Sequence, residues 1–143
     1  MPAKGYVDTG VIGSYLFPEV FSEEAEAALR SFEIAYISDL TEVEFYSLAA
    51  RKLRTGSLPE AQVRHVVQTF ESLVEQGVFQ RTAILSADYA RSKYYLSALK
   101  TNLRTLDALH VAVAERLDAI LLTSDKHQAD GAEYFGVPVK RIA

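Results

Sequence analysis

The sequence predicts an α/β fold in which a central parallel sheet carries helices on both faces. Three features lead there. The runs at 34–37 and 119–122 are short and wholly apolar, the composition of strands covered on both sides. They are separated by longer stretches of helical periodicity, and parallel neighbours need such crossovers. Aspartates stand at the carboxyl ends of two predicted strands, where open sheets of this kind bind ligands.

Taken in order, residues 4–8 read as a strand ending in Asp8, and Thr9-Gly10 start a helix through Leu16 that Pro18 stops. Ser22 is placed to cap a second helix, with Glu23, Glu24 and Glu26 favourable at its positive end and its close near Phe32. Residues 34–37 form the next strand. The helix expected over 38–55 carries Phe45, Leu48, Ala49 and Leu53 on one face and stops at Gly56, while Thr41 and Glu44 fit a capping box. A helix over 59–76 buries Val63, Val66, Val67, Phe70 and Val74, with Pro59 in its first turn. Residues 78–85 suit either a short strand or an extended connection.

Ser86 opens a helix carrying Tyr89, Tyr94, Leu96 and Leu99, with Asn102 as terminator. Residues 105–117 form a helix whose small and aliphatic residues require burial on nearly every side, yet it contains Asp107. The strand at 119–122 leads to Thr123-Ser124-Asp125, a last helix runs through Phe135, and 137–139 form an edge strand where proline is tolerated.

The whole chain, 1–143, reads as one domain with an ordinary globular composition, 49% hydrophobic and 24% charged. No apolar run is long enough to span a bilayer and no cleavage signal follows the first hydrophobic residues, which places the chain in the cytosol. The absence of cysteine excludes disulfides, thiolate metal sites and a cysteine nucleophile. The net charge of −4 argues against a nucleic-acid coat protein. It leaves room for an enzyme acting on nucleic acid, because four acids neutralised by cations would bring the remaining formal charge to zero.

Each acid has a local explanation. Asp8 and Asp125 can cap the helices that follow them, and Asp107 lies in a first turn. Capping gives no reason, however, for two strands to deliver acids to one edge, or for an acid inside so apolar a helix. Carboxylates forced together repel unless a cation joins them. With oxygen ligands only on offer, Mg²⁺ or Mn²⁺ is the natural choice, suited to displacement at phosphorus.

The ordered set of Tyr6-Val7-Asp8-Thr9, Thr41 to Glu44, Leu103 to His110, Leu121 to Lys126 and Gly136 to Val139 resembles a PIN domain, a three-layer α/β/α fold. Within that superfamily it is most similar to VapC-like toxins of type II toxin-antitoxin modules. The resemblance implies an endoribonuclease that hydrolyses RNA phosphodiesters with Mg²⁺ or Mn²⁺ and activated water, a homodimer, and inhibition by a cognate antitoxin. It implies Asp8, Glu44, Asp107 and Asp125 as catalytic and metal-holding acids; spacing alone leaves Glu42 and Glu44 open, and the family pattern selects Glu44. Thr9, Thr123 and Ser124 sit where hydroxyls can support ligands or a phosphate.

Arg104 and Lys126 flank two of these acids and are expected to hold the RNA backbone, whereas Arg51, Lys52 and Arg54 read as a helix-end cluster complementing the dipole. His110, three residues after Asp107, reads as a buried histidine bonded to a neighbour rather than a proton shuttle. One of Tyr94 and Tyr95 is expected in the core and the other at an interface. Readings with the same fold are a nuclease of RNA maturation or structured DNA, and a silent interaction module whose acids are only caps. A receiver-like phosphoacceptor leaves the acid in the apolar helix unexplained.

Overall fold

The computed structural model describes residues 3–143. Five strands, β1 (Lys4–Val7), β2 (Ile34–Ser38), β3 (Gln80–Thr82), β4 (Ile120–Thr123) and β5 (Val139–Arg141), form one sheet in the order β3-β2-β1-β4-β5. Every pairing is parallel, with Tyr6 opposite both Tyr36 and Leu121. The order reverses between β1 and β4, so the switch point lies beside the residues that follow those two strands.

Seven helices supply the crossovers: α1 (Thr9–Leu16), α2 (Ser22–Arg30), α3 (Asp39–Arg54), α4 (Glu60–Glu75), α5 (Ser86–Ser97), α6 (Thr105–Leu117) and α7 (Lys126–Tyr134). Alternation along each strand feeds two cores. Val7, Ile37 and Leu122 point to one side and pack with Val11, Ile12, Phe45 and Phe70 of α1, α3 and α4. Tyr6 and Leu121 point to the other and pack with Tyr95, Val111, Val113 and Ala132 of α5, α6 and α7. The result is the expected three-layer α/β/α arrangement. Helix α6 is buried without interruption from Ala108 to Ala114, as its composition requires.

Several local expectations are corrected. Thr41 does not cap a helix with Glu44; α3 starts earlier, with Ser38 as cap and Thr41 as its reciprocal partner, Ser38 Oγ accepting the Thr41 N–H at 3.2 Å. A threonine hydroxyl thus serves where a glutamate is more usual, and Glu44 is free for other contacts. Ser22 is the first residue of α2 rather than its cap, and its hydroxyl donates to the Ser14 carbonyl at 2.7 Å. Pro59 occupies the cap position of α4 instead of its first turn.

Residues 80–82 are a strand at the edge beside β2, which settles the open reading of 78–85. Helix α5 ends at Ser97, and Leu99 turns left-handed at φ 57° well before Asn102. The last strand lies two residues later than expected, because Pro138 contributes its carbonyl to Leu121 N–H and ladder pairing begins only at Val139. No helix among the described residues is long and apolar enough to cross a membrane.

Candidate active site

The carboxyl ends of β1 and β4 place Asp8 immediately after Val7 and Asp125 two residues after Thr123. Helices α3 and α6 begin at the same edge of the sheet and bring Glu44 and Asp107. All four acids line one open cavity of about 360 Å³, together with Thr9, Gly10, Ser47, Leu48, Arg51 and Leu106. Glu42 points away and forms a two-pronged ion pair with Arg81 of β3, with contacts of 2.6 and 2.9 Å. Of the two acids that spacing left open, Glu44 is the one on the cavity wall.

Hydroxyls hold the acids. Thr9 Oγ1 donates to Glu44 Oε1 at 2.9 Å. Thr123 Oγ1 donates to Asp8 Oδ2 at 3.3 Å and accepts the Asp125 N–H at 3.0 Å, joining the ends of β1 and β4. Ser124 packs over Gly10: a methyl group on Gly10 would lie 2.9 Å from Ser124 Oγ and 3.6 Å from Asp8 Oδ2, so the close approach needs glycine.

Capping and the cavity share the same carboxylates. Asp107 Oδ2 accepts the Arg104 N–H at 3.1 Å, and Asp125 Oδ1 accepts the Gln128 N–H at 3.0 Å. Glu44 Oε1 takes both Thr9 and, at 2.5 Å, His110 Nε2. Each of these three acids keeps one oxygen that receives no protein donor among the described residues.

His110 is buried as expected, and its neighbour is a cavity acid. Asp8, Glu44 and His110 can place one ligand atom each within 4.8 Å of one another, a spacing able to hold a metal ion. Asp107 and Asp125 complete the wall outside that tight group. Crowding shows in the electrostatics. Burial raises Asp8 above the ordinary carboxylate range and the Glu44 charge adds to this, while His110 works against it. Burial is also the main influence raising Asp107, reinforced by the charge of Asp125. For Glu44 burial is again the largest single influence and acts upward, but the His110 bond and charge with the Thr9 hydroxyl outweigh it and hold the group low. Burial would lower His110; the Glu44 bond and the charges of Asp8, Glu44 and Asp107 raise it instead.

Arg104 and Lys126 are exposed and do not line the cavity, and Lys126 pairs with Asp130 at 3.0 Å. The cation on the wall is Arg51, assigned by sequence only to a helix end; it lies seven residues after Glu44, two turns along the same face, and that spacing was the available signal. Its neighbour Lys52 is bound to Glu19 at 2.9 Å. Tyr95 is fully buried and Tyr94 is 56% exposed, which satisfies the core half of that expectation.

A five-stranded parallel sheet with an acid-lined cavity at its switch point is the architecture of a PIN domain, and the chain belongs to that family, whose pattern matches residues 5–134. Among relatives, it is 29% identical over 127 residues to Ribonuclease VapC3 of Pyrobaculum aerophilum, spanning 89% of this chain and 93% of that one. Its fold is similar to that of the Mycobacterium tuberculosis toxin VapC20, a sarcin-ricin loop cleaving toxin, at 12% identity and TM-score 0.71 over 96% of this chain and 99% of that one. It is similar also to a chain of a toxin-antitoxin complex from Klebsiella pneumoniae, at 21% identity and TM-score 0.64, covering 96% and 99%. At these identities the two structures speak for the fold alone.

Proposed function

We propose that this protein is a divalent-metal-dependent endoribonuclease, the toxin of a toxin-antitoxin pair. One observation carries the reading: carboxylates from four separate elements converge on one cavity, and Glu44, Asp107 and Asp125 each keep an oxygen that receives no protein donor among the described residues. Caps alone require no such convergence. The relative named a ribonuclease supports the reaction class, and the toxin-antitoxin complex of the same fold supports the partner.

Asp8, Glu44, Asp107 and Asp125 would hold Mg²⁺ or Mn²⁺, since their oxygens suit hard cations and their mutual repulsion calls for one. When bound, such an ion lowers the pKa of water and stabilises charge on the leaving oxygen. The chain's own groups set the geometry. Thr9 and His110 fix Glu44, and Thr123 ties Asp8 to the Asp125 turn. Arg51, without an ion-pair partner among the described residues, faces the cavity and is placed to meet a substrate phosphate. Arg104 and Lys126 would meet the RNA backbone farther out, Lys126 only after leaving Asp130. The homodimer implied by the resemblance belongs to the same proposal.

The test is cleavage of single-stranded and stem-loop RNA by metal-stripped protein, with and without Mg²⁺ or Mn²⁺. Cleavage only with the cation, yielding no cyclic phosphate because water is the nucleophile, is the expected result. Cleavage that survives chelation, or that persists unchanged in Asp8→Asn, defeats the proposal. Co-expression with the product of the adjacent reading frame should suppress any growth arrest, and failure to do so removes the antitoxin part.

A further inference from the structure

His110 is 1% exposed, yet both ring nitrogens are engaged. Nε2 stands 2.5 Å from Glu44 Oε1 and Nδ1 2.6 Å from the Tyr6 hydroxyl. An ionised carboxylate has no hydrogen to give, so the hydrogen in the first contact belongs to the ring. Whether the ring is neutral or cationic, Nε2 therefore carries a proton and its lone pair is not free. In the neutral ring Nδ1 must accept, and Tyr6 must donate.

The rest of the chain of bonds agrees. Tyr6 is fully buried, and a phenol keeps its proton at neutral pH, so it has one hydrogen to give. Ser38 Oγ lies 2.7 Å from the Tyr6 oxygen, and Thr41 Oγ1 lies 3.4 Å from it. Both hydroxyls are fully buried and sit at the α3 cap, the same helix that carries Glu44. With the ring neutral, hydrogens thus run in one direction, from Ser38 to Tyr6, to His110, to Glu44.

We infer that His110 is a positioning residue for Glu44 and not a metal ligand, its Nε2 proton being directed at the carboxylate by the Tyr6–Ser38 relay behind it. The inference rests on the metal reading above and sharpens it. Three groups lie close enough to hold an ion, but only two of them offer a lone pair, so the ligands are oxygens alone. A nitrogen ligand would favour softer ions such as Zn²⁺; oxygens alone favour Mg²⁺ and Mn²⁺. With Oε1 occupied by Thr9 and His110, Glu44, which lines the cavity, has its second oxygen without a protein donor among the described residues. Second-layer partners of this kind govern affinity as well as orientation.

Two measurements on the full chain test this without relying on activity. In ¹⁵N-labelled protein with Mg²⁺, the His110 imidazole shifts should show Nε2 protonated. Pulsed EPR of the Mn²⁺-loaded protein should show no directly bonded nitrogen. Tyr6→Phe should weaken Mn²⁺ binding by about 10- to 100-fold. His110→Gln, which keeps an N–H donor, should bind Mn²⁺ more tightly than His110→Leu. A nitrogen coupling to Mn²⁺, an unprotonated Nε2, or a folded Tyr6→Phe with unchanged affinity overturns the inference while the metal reading stands. If the wild type binds neither ion at millimolar concentration, the metal reading itself is wrong and the inference goes with it. Should Tyr6→Phe fail to fold, the two wild-type spectra decide.

Discussion

Asp125 performs two tasks that one pair of substitutions separates. Its Oδ1 caps α7 through the Gln128 N–H at 3.0 Å, and its carboxylate lines the cavity. Serine keeps an oxygen for that N–H, because Ser and Asp are nearly equal caps, whereas alanine surrenders the amide to water. The position is exposed, so losing the cap costs the ordinary amount, about 1 kcal/mol, rather than the larger penalty of a buried orphan. Both variants remove the charge that raises Asp107, so that relief cancels between them.

In a chain of 143 residues, 1 kcal/mol corresponds to roughly 3–4 °C in melting temperature. Without divalent cation, Asp125→Ala should therefore melt about 3–4 °C below Asp125→Ser. Binding to the folded state at a hundredfold excess over Kd adds about 2.7 kcal/mol, so Mg²⁺ should raise the wild type by roughly 8–11 °C. Both variants should lose a large and equal part of that gain, and both should lose RNA cleavage. Differential scanning calorimetry of metal-stripped protein, with and without Mg²⁺, measures both quantities. A serine variant that keeps the full cation gain and full cleavage refutes the site role and leaves Asp125 a cap. Equal melting of the two variants refutes the cap.

Other perturbations have equally definite signs. In Gly131→Ala, helix propensity favours alanine by about 1 kcal/mol, but the new methyl would meet Leu103 Cγ, Cδ2 and Cδ1 at 2.4, 2.6 and 2.8 Å. Leu103 is buried and cannot swing clear, so overpacking of about 1–3 kcal/mol should win, and urea denaturation should show a lower midpoint with unchanged slope. Arg51→Ala should weaken RNA binding and reduce the slope of log affinity against log salt by about 0.7, one single-strand phosphate contact, measured by fluorescence anisotropy. Burial acts to raise Glu115, but its bond to Arg91 at 2.5 Å prevails and holds it below the ordinary carboxylate range. A depressed folded pKa gives stability that is present above the unfolded value and lost as pH falls through the folded one. Glu115→Gln should accordingly lower the melting temperature at pH 7, by a deficit that shrinks as pH falls below the ordinary glutamate range; a deficit that stays constant with pH contradicts this.

The sequence by itself determined the order of the elements and the kind of all but β3, which it left open between a strand and a connection. Short apolar runs without alternation pointed to strands covered on both faces, and the longer, mostly aliphatic stretch of α6 to a buried helix, because periodicity reports how many sides of a segment meet water and length separates the two. It also placed Asp8 and Asp125 at strand ends, which sheet order then made neighbours across the switch point. What only the tertiary structure decided depends on which elements meet and how each helix is rotated about its axis. Glu42 and Glu44 are two residues apart, and Arg81, from the edge strand, takes the first and leaves the second to the cavity. The shift of β5 follows from a register set by Pro138 against Leu121. Arg51 became a wall of the cavity through the same helix rotation as Glu44. His110 is tied to Tyr6, 104 residues away, because an unpaired buried polar group is costly and only the fold determines which partner is within reach.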